Sequence, residues 1–219
     1  MAFAKDDATK RMINTTIART YLYMGDYANA TTYALQGMQS GDPSFDLLYS
    51  VQNASEYYAN AGAGRSQVAA DFRYHDYITA DPNEASRIKL YSVTGADSKT
   101  YYIQAKMFNK QDPVPVTTWQ ENNLILAECA LRGQATAGVP LTLVNAVRAS
   151  HGIAPVATIV LYSADHSVPN IYDERDKELF CTGTRLIDNR RFNTFQSATG
   201  LTNSYFPIDV DELDGNPNL

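Results

Sequence analysis

Two cysteines, one tryptophan and three histidines are all that 219 residues hold of these types, and each scarcity removes a class of chemistry. Cys129 and Cys181 lie in apolar surroundings and not in a C-x-x-C spacing, which favours two buried thiols over a disulfide or metal pair. His75, His151 and His166 are too scattered for a paired zinc spacing, and no nucleophile motif flanks them. No block of basic residues occurs, and 18 Lys and Arg against 24 Asp and Glu give a net charge of −6. The electrostatic footprint of a nucleic-acid binder is therefore missing. No apolar run approaches the ~18 residues of a membrane span, and "MAFAKDDATK" has neither the basic nor the apolar stretch of a secretory signal. "GAGRS" and "GADSK" lack the ending of a phosphate loop, and "DVDELDG" lacks the spacing of a calcium loop. No cofactor and no metal is expected.

What is present describes a folded, mainly α-helical chain. Hydrophobic residues reach 44% and charged residues 19%, a globular balance in a length that suits one domain. Residues 7–24 place Met12, Ile13, Ile17, Tyr21 and Met24 at helical spacing. Gly25 ends that helix and Asp26 can cap a second, in which Ala30, Ala34 and Gly37 form a small-residue stripe that lets backbones approach. Such a hairpin resembles a tetratricopeptide unit. Residues 43–62 are expected to begin helical, whereas "RIKLYSVTGADSKTYYIQAKMF" alternates around Gly95-Ala96-Asp97 as a short β-hairpin. "DPVPV" reads as a rigid connector. Helices over 118–133 and from Pro140 to Gly152 make a second hairpin, with Trp119 as packing, and a closing helix starts near Pro169 or Asn170. The tail "YFPIDVDELDGNPNL" reads as extended. No linker divides the sequence, so residues 1–219 are expected to form a single domain of helical hairpins with loop elaborations.

Residues 172–192, "YDERDKELFCTGTRLIDNRRF", hold five acids and five bases. Asp173 with Lys177, Glu174 with Lys177 and Arg175 with Glu178 are spaced as helix-surface pairs, each contributing about 0.2–0.5 kcal/mol. Acids lead and Arg190 and Arg191 trail, which suits the helix dipole. Leu179 and Phe180 supply the apolar seam. A glycosidase needs one protonated acid beside one ionised carboxylate, but every acid here has a base within one turn. The stretch reads as scaffold, its charges keeping an exposed helix in register.

The same stretch resembles the C-terminal signature of the SusD/RagB-like (starch-utilisation D) outer-membrane proteins, at Arg175, Glu178, Leu179, Gly183, Arg185, Asp188, Arg190 and Arg191. "NLILAECALRG" and "NAVRASHGI" are similar to that family's paired helix motif, "ARTYLYMGDYANATTYA" to its tetratricopeptide-like helices, and "FPIDVDELDGNPNL" to its closing segment. "DPNEASRIKLY" occupies the place of an Asp-Pro-Arg turn. Leu186 and Ile187 replace a usual aromatic, and Asp209 a second proline. The family has a further N-terminal portion with a lipoprotein signal and lipid-bearing cysteine, so this chain is expected to correspond to the C-terminal part. The resemblance implies a non-catalytic protein of the Bacteroidetes outer-membrane face. It would bind glycans or peptides and deliver them to a TonB-dependent (SusC-like) transporter barrel.

Sugars are gripped by flat aromatic faces and planar polar groups. Eight of the 15 tyrosines fall within residues 45–110. Of these, Tyr74, Tyr77, Tyr101 and Tyr102, outside any helical stripe, are the candidate ligand residues together with Arg73; His75, Asp76 and Asn83 lie beside them. Adjacent Tyr101 and Tyr102 must point to opposite sheet faces. The competing reading is a stand-alone tetratricopeptide-type module that binds another protein.

Overall fold

Asp6 opens the first helix by accepting the Thr9 amide at 2.8 Å, and Gly25 closes it in the left-handed conformation, φ 77°. The computed structural model describes residues 6–200; the closing segment that carries the Pro-Ile and Asn-Pro-Asn-Leu matches lies outside the described residues. Helix α1 (Asp7–Met24) turns through Asp26, which caps α2 (Tyr27–Ala34) by accepting the Asn29 amide. The face of α1 that meets its neighbours is Asn14, Thr15, Ala18 and Leu22, displaced from the expected stripe, and Met24 is 72% exposed. Small side chains win this face because α2 lies close. Ala30 and Ala34 are buried, and a Cβ on Gly37 would stand 2.6 Å from Thr15 Oγ1.

Helix α5 (Trp119–Leu131) is the centre of the molecule, buried along nearly its whole length. Thr118 caps it by accepting the Glu121 amide. Asn122 ties it to the first hairpin: it accepts from Thr15 Oγ1 at 3.0 Å and donates to the carbonyls of Ala34 and Met38, each at 2.9 Å. Ile125, Leu126 and Cys129 fill the α1–α2 groove, so the apolar face of that hairpin is already covered. Helix α6 (Pro140–Ser150), with proline in its first turn, packs Val144 and Val147 against Leu124, Ala127 and Trp119. Both cysteines are free thiols: Cys129 is buried and Cys181 half-buried.

The middle of the chain departs from expectation in three places. Residues 45–47 form a strand, β1 (Phe45–Leu47), paired antiparallel with β4 (Val114–Thr117), so the expected connector "DPVPV" is a strand and the start of 43–62 is not helical. Helix in that stretch is confined to α3 (Glu56–Ala61), capped by Ser55. The strand's partner lies some seventy residues away, where no local pattern reveals it. The β-hairpin forms as expected, β2 (Leu90–Thr94) against β3 (Thr100–Gln104), with Ser92 opposite Tyr102 and Val93 opposite Tyr101. Before it comes an unexpected helix, α4 (Phe72–Ala80), followed by a 3-10 turn over Pro82–Ser86. Tyr74 and Tyr77 are therefore helical residues, contrary to the sequence reading.

Helix α7 (Ile171–Glu178) starts at its Asn170 cap as expected, but 172–192 is not one continuous helix. Cys181, φ 63°, and Gly183, φ 80°, turn the chain so that α8 (Arg185–Arg191) folds back beside α7, and α9 (Phe195–Thr199) follows. Among the described residues no helix is long and apolar enough to cross a membrane.

Candidate functional site

Helix α4 exists because Asp71 accepts the Arg73 amide at 2.9 Å, and it ends before Pro82, which biases its predecessor toward extended backbone. Its inner face delivers three of the candidate residues to one carboxylate, Asp176 of α7. Arg73 Nε donates to Asp176 Oδ2 at 2.9 Å, and Tyr74 Oη donates to Oδ1 at 2.6 Å. Tyr77 Oη reaches Oδ2 at 3.3 Å, and Arg185 adds a contact at 3.3 Å. Tyr74 is only 6% exposed, with Phe180 4.3 Å from its ring. Burial, and then the charge of Asp176, hold both phenols far above their ordinary range, so they remain donors. Arg73, Tyr74 and Tyr77 are thus drawn together as a clasp on Asp176, Tyr74 buried and Arg73 and Tyr77 half-buried.

The outer face of α4 meets the hairpin. The His75 and Tyr102 rings stack at 4.2 Å and 13° from parallel, and Phe72, 52% exposed, stands edge-on to Tyr102 at 6.1 Å. Tyr101, on the other strand face, donates to Asp97 at 2.9 Å and also meets Phe72 at 6.1 Å. Tyr102 and His75 border an open groove of about 400 Å³, with Ile78, Ile88 and Leu90 apolar and Lys89 and Ser92 polar along it. On the opposite side of α4 a narrower cleft of about 270 Å³ runs between Tyr77, Asp81, His166 and Lys177. The Lys177 ammonium fills the Tyr77 ring face there, 4.7 Å from its centroid. Asp76 is exposed, 3.9 Å from His75 Nδ1, and Asn83 turns back to Asp81 at 3.0 Å, so neither lines the groove.

The charges of α7 are not a solvated face. Six of its eight residues from Tyr172 on are charged or aromatic and buried, and their partners come from other elements, which corrects the expectation of pairs within the helix. Glu174 takes Arg148 at 2.5 Å and Arg87 at 2.9 Å. Arg175, wholly buried, holds Asp188 at 2.9 Å and lies 3.7 Å from Glu128. Glu178 meets His151 at 3.0 Å and Arg87 at 3.7 Å. Asp173 pairs with His166 at 2.8 Å, and Lys177 reaches Glu84 at 3.4 Å. Arg191 grips Glu128 and Asp188, each at 2.6 Å, while the Arg190 guanidinium lies 5.9 Å over Phe195. Burial works against ionisation of Glu84, yet the Arg87 hydrogen bonds and nearby cations outweigh it and hold its carboxyl below the ordinary range. Glu84 and Glu174 do line the narrow cleft, but as paired carboxylates.

Glu128 from α5 and Arg148 and His151 at the end of α6, polar residues of the two matched helix motifs, are thus among the partners of the α7 charges. A SusD family model matches residues 14–219. The chain belongs to the SusD family. Solved SusD-family structures share its fold. A SusD superfamily protein from Bacteroides vulgatus is 22% identical, with TM-score 0.67, over 83% of this chain and 48% of the other. A laminarin-binding SusD-like protein is 16% identical, with TM-score 0.63, over 95% and 60%. A putative sugar-binding protein from Bacteroides vulgatus is 19% identical, with TM-score 0.60, over 82% and 46%. The chain therefore spans about half the length of these SusD relatives. No curated protein matches it in sequence.

Phe72, which packs against Tyr102 beside the groove, and Lys89, which lines it, were not singled out in the sequence reading. Phe72 and His75 share a helix face at i and i+3, a signal available only once α4 is recognised.

Proposed function

We propose that this SusD-family chain binds glycans without turning them over, with the His75–Tyr102 pair as its sugar platform and Phe72 and Tyr101 extending it. It would act at the outer face of an outer membrane, handing cargo to a TonB-dependent, SusC-like barrel. The observation that carries the reading is the near-parallel ring pair flanking an open groove whose volume suits a small-molecule ligand. A pyranose lays its C–H face on such rings, and Ser92 and Lys89 stand within the same groove to meet hydroxyls. The names of the laminarin-binding and sugar-binding relatives point the same way. The non-catalytic reading is supported by Glu84 and Glu174 of the narrow cleft, each paired with arginine, where a glycosidase needs one carboxyl kept as an acid.

A panel of soluble polysaccharides run in affinity gels, then titrated calorimetrically, tests this. Tyr102→Ala is expected to weaken the best ligand about tenfold, equivalent to about 1.4 kcal/mol. Tyr74→Phe, which alters only the buried clasp, should leave affinity unchanged. Equal binding by Tyr102→Ala and the parent would remove the platform, and release of reducing ends from any polymer would end the non-catalytic reading.

A further inference from the structure

The groove beside α4 carries side-chain charge of one sign. Of its eight lining residues, Ile78, Ala85, Ile88 and Leu90 are apolar, Ser92 and Tyr102 are neutral, and His75 and Lys89 are the only basic ones; no carboxylate lines it. Asp76 lies 3.9 Å from His75 Nδ1 but does not line the groove. This matters because the chain as a whole is acidic, with a net charge of −6.

Apart from Arg65, cations elsewhere in the described residues are engaged. Arg11, Arg19, Arg73, Arg87, Arg148, Arg175 and Arg191 each hold a carboxylate. Lys106 donates to the carbonyls of Glu178 and Phe180, and Lys110 lies over the Tyr58 ring. Among the described residues the Lys89 ammonium has no ion pair, no hydrogen bond and no ring partner, a state it shares with Arg65. Arg65 lines neither cleft beside α4. Lys89 is exposed, immediately before β2 and three residues from Ser92, and it lines the same groove as His75 and Tyr102.

We propose that the His75–Tyr102 groove selects glycans bearing an acidic substituent, a uronate carboxylate or a sulfate ester, through the ammonium of Lys89. The proposal rests on the glycan reading above and adds to it the chemistry of the sugar. A sugar ring stacked on Tyr102 carries its exocyclic group to the groove edge, where an unpaired cation gains an anionic partner and no fixed acid opposes it. Neutral sugars gain the stacking without the ion pair. The pair forms at a solvent-open site, so it is modest in size and screened by salt.

The test uses matched polymers on the full chain: polygalacturonate against its fully methyl-esterified form, and a sulfated galactan against an unsulfated one. The first pair reads carboxylate and the second sulfate. Expected is a preference of about three- to tenfold for the acidic member of at least one pair. That preference should shrink on raising salt to about 0.5 M, and it should vanish in Lys89→Gln, while Tyr102→Ala weakens both members. Equal affinity for acidic and neutral members, or a preference that survives Lys89→Gln, overturns the proposal and leaves the platform intact. Binding to none of the four polymers, or to polymers regardless of Tyr102, overturns the glycan reading itself and the proposal with it.

Discussion

Arg175 has no exposed side-chain surface and is held between Asp188 and Glu128. Removing one partner from a buried ion cluster leaves the others uncompensated in a poor solvent, a cost of about 3–5 kcal/mol. Arg175→Met is therefore expected to lower unfolding free energy by that amount in urea titration, with glycan affinity of the folded fraction unchanged. A loss under about 1 kcal/mol would mean the cluster is as dispensable as a surface pair. The sequence reading assigned these residues to such surface pairs, because i, i+3 and i, i+4 spacing reports neighbours on one helix and says nothing of what surrounds it. A signal was nevertheless there. An eight-residue helix reading IYDERDKE has charge on every face and no apolar stripe, so it can be docked only by counter-charges from elsewhere. Burial was illegible for the same reason: nothing in the sequence showed that Tyr74 would lie 6% exposed against Asp176.

Among the elements, the hairpins α1–α2 and α5–α6, the β2–β3 turn and the Asn170 cap were all readable, since each is set by local chemistry at its ends. Helix α4 and strand β1 were not. "FRYHDYITA" has neither alternation nor a clear apolar stripe, because its two faces meet different surroundings, a buried acid and a half-open groove. Strand β1 is three residues long and depends on a distant partner. Ala30 and Ala34 of the small-residue stripe are buried as expected, but α2 ends at Ala34, and Gly37 lies beyond it against Thr15 and Asn122. An added methyl there meets Thr15 Oγ1 at 2.6 Å, and that hydroxyl already accepts the Met38 amide at 2.8 Å. Gly37→Ala is expected to cost about 1–3 kcal/mol, visible as a lower melting temperature, whereas Gly133→Ala, φ 95° with open space around its Cβ, is strained only through its backbone. Equal melting of Gly37→Ala and the parent would deny the close approach.

Across the whole molecule, acid is the predicted route to unfolding. Glu84, Glu178 and Asp188 lie below their ordinary values of 4.5, 4.5 and 3.8. Burial opposes each ionisation, and the cations or histidine hydrogen-bonded to each outweigh it. A carboxyl whose folded value is depressed stabilises the fold as the anion. Its contribution is complete above about pH 4.5 and is lost as pH falls through the lower folded values. Melting temperature should accordingly drop steeply below about pH 4.5, and a melt unchanged down to about pH 3 would contradict the network's role.

The position of α7 in the chain also sets an order of assembly. Arg73, Glu84, Arg87, Glu128, Arg148 and His151 all precede it, and Arg185, Asp188 and Arg191 follow. On a ribosome, the early group emerges before the α7 charges that pair with it, so these pairs close only once α7 has been made. One short ionic segment thereby works as a keystone: the arch around it stands only once it has been dropped into place.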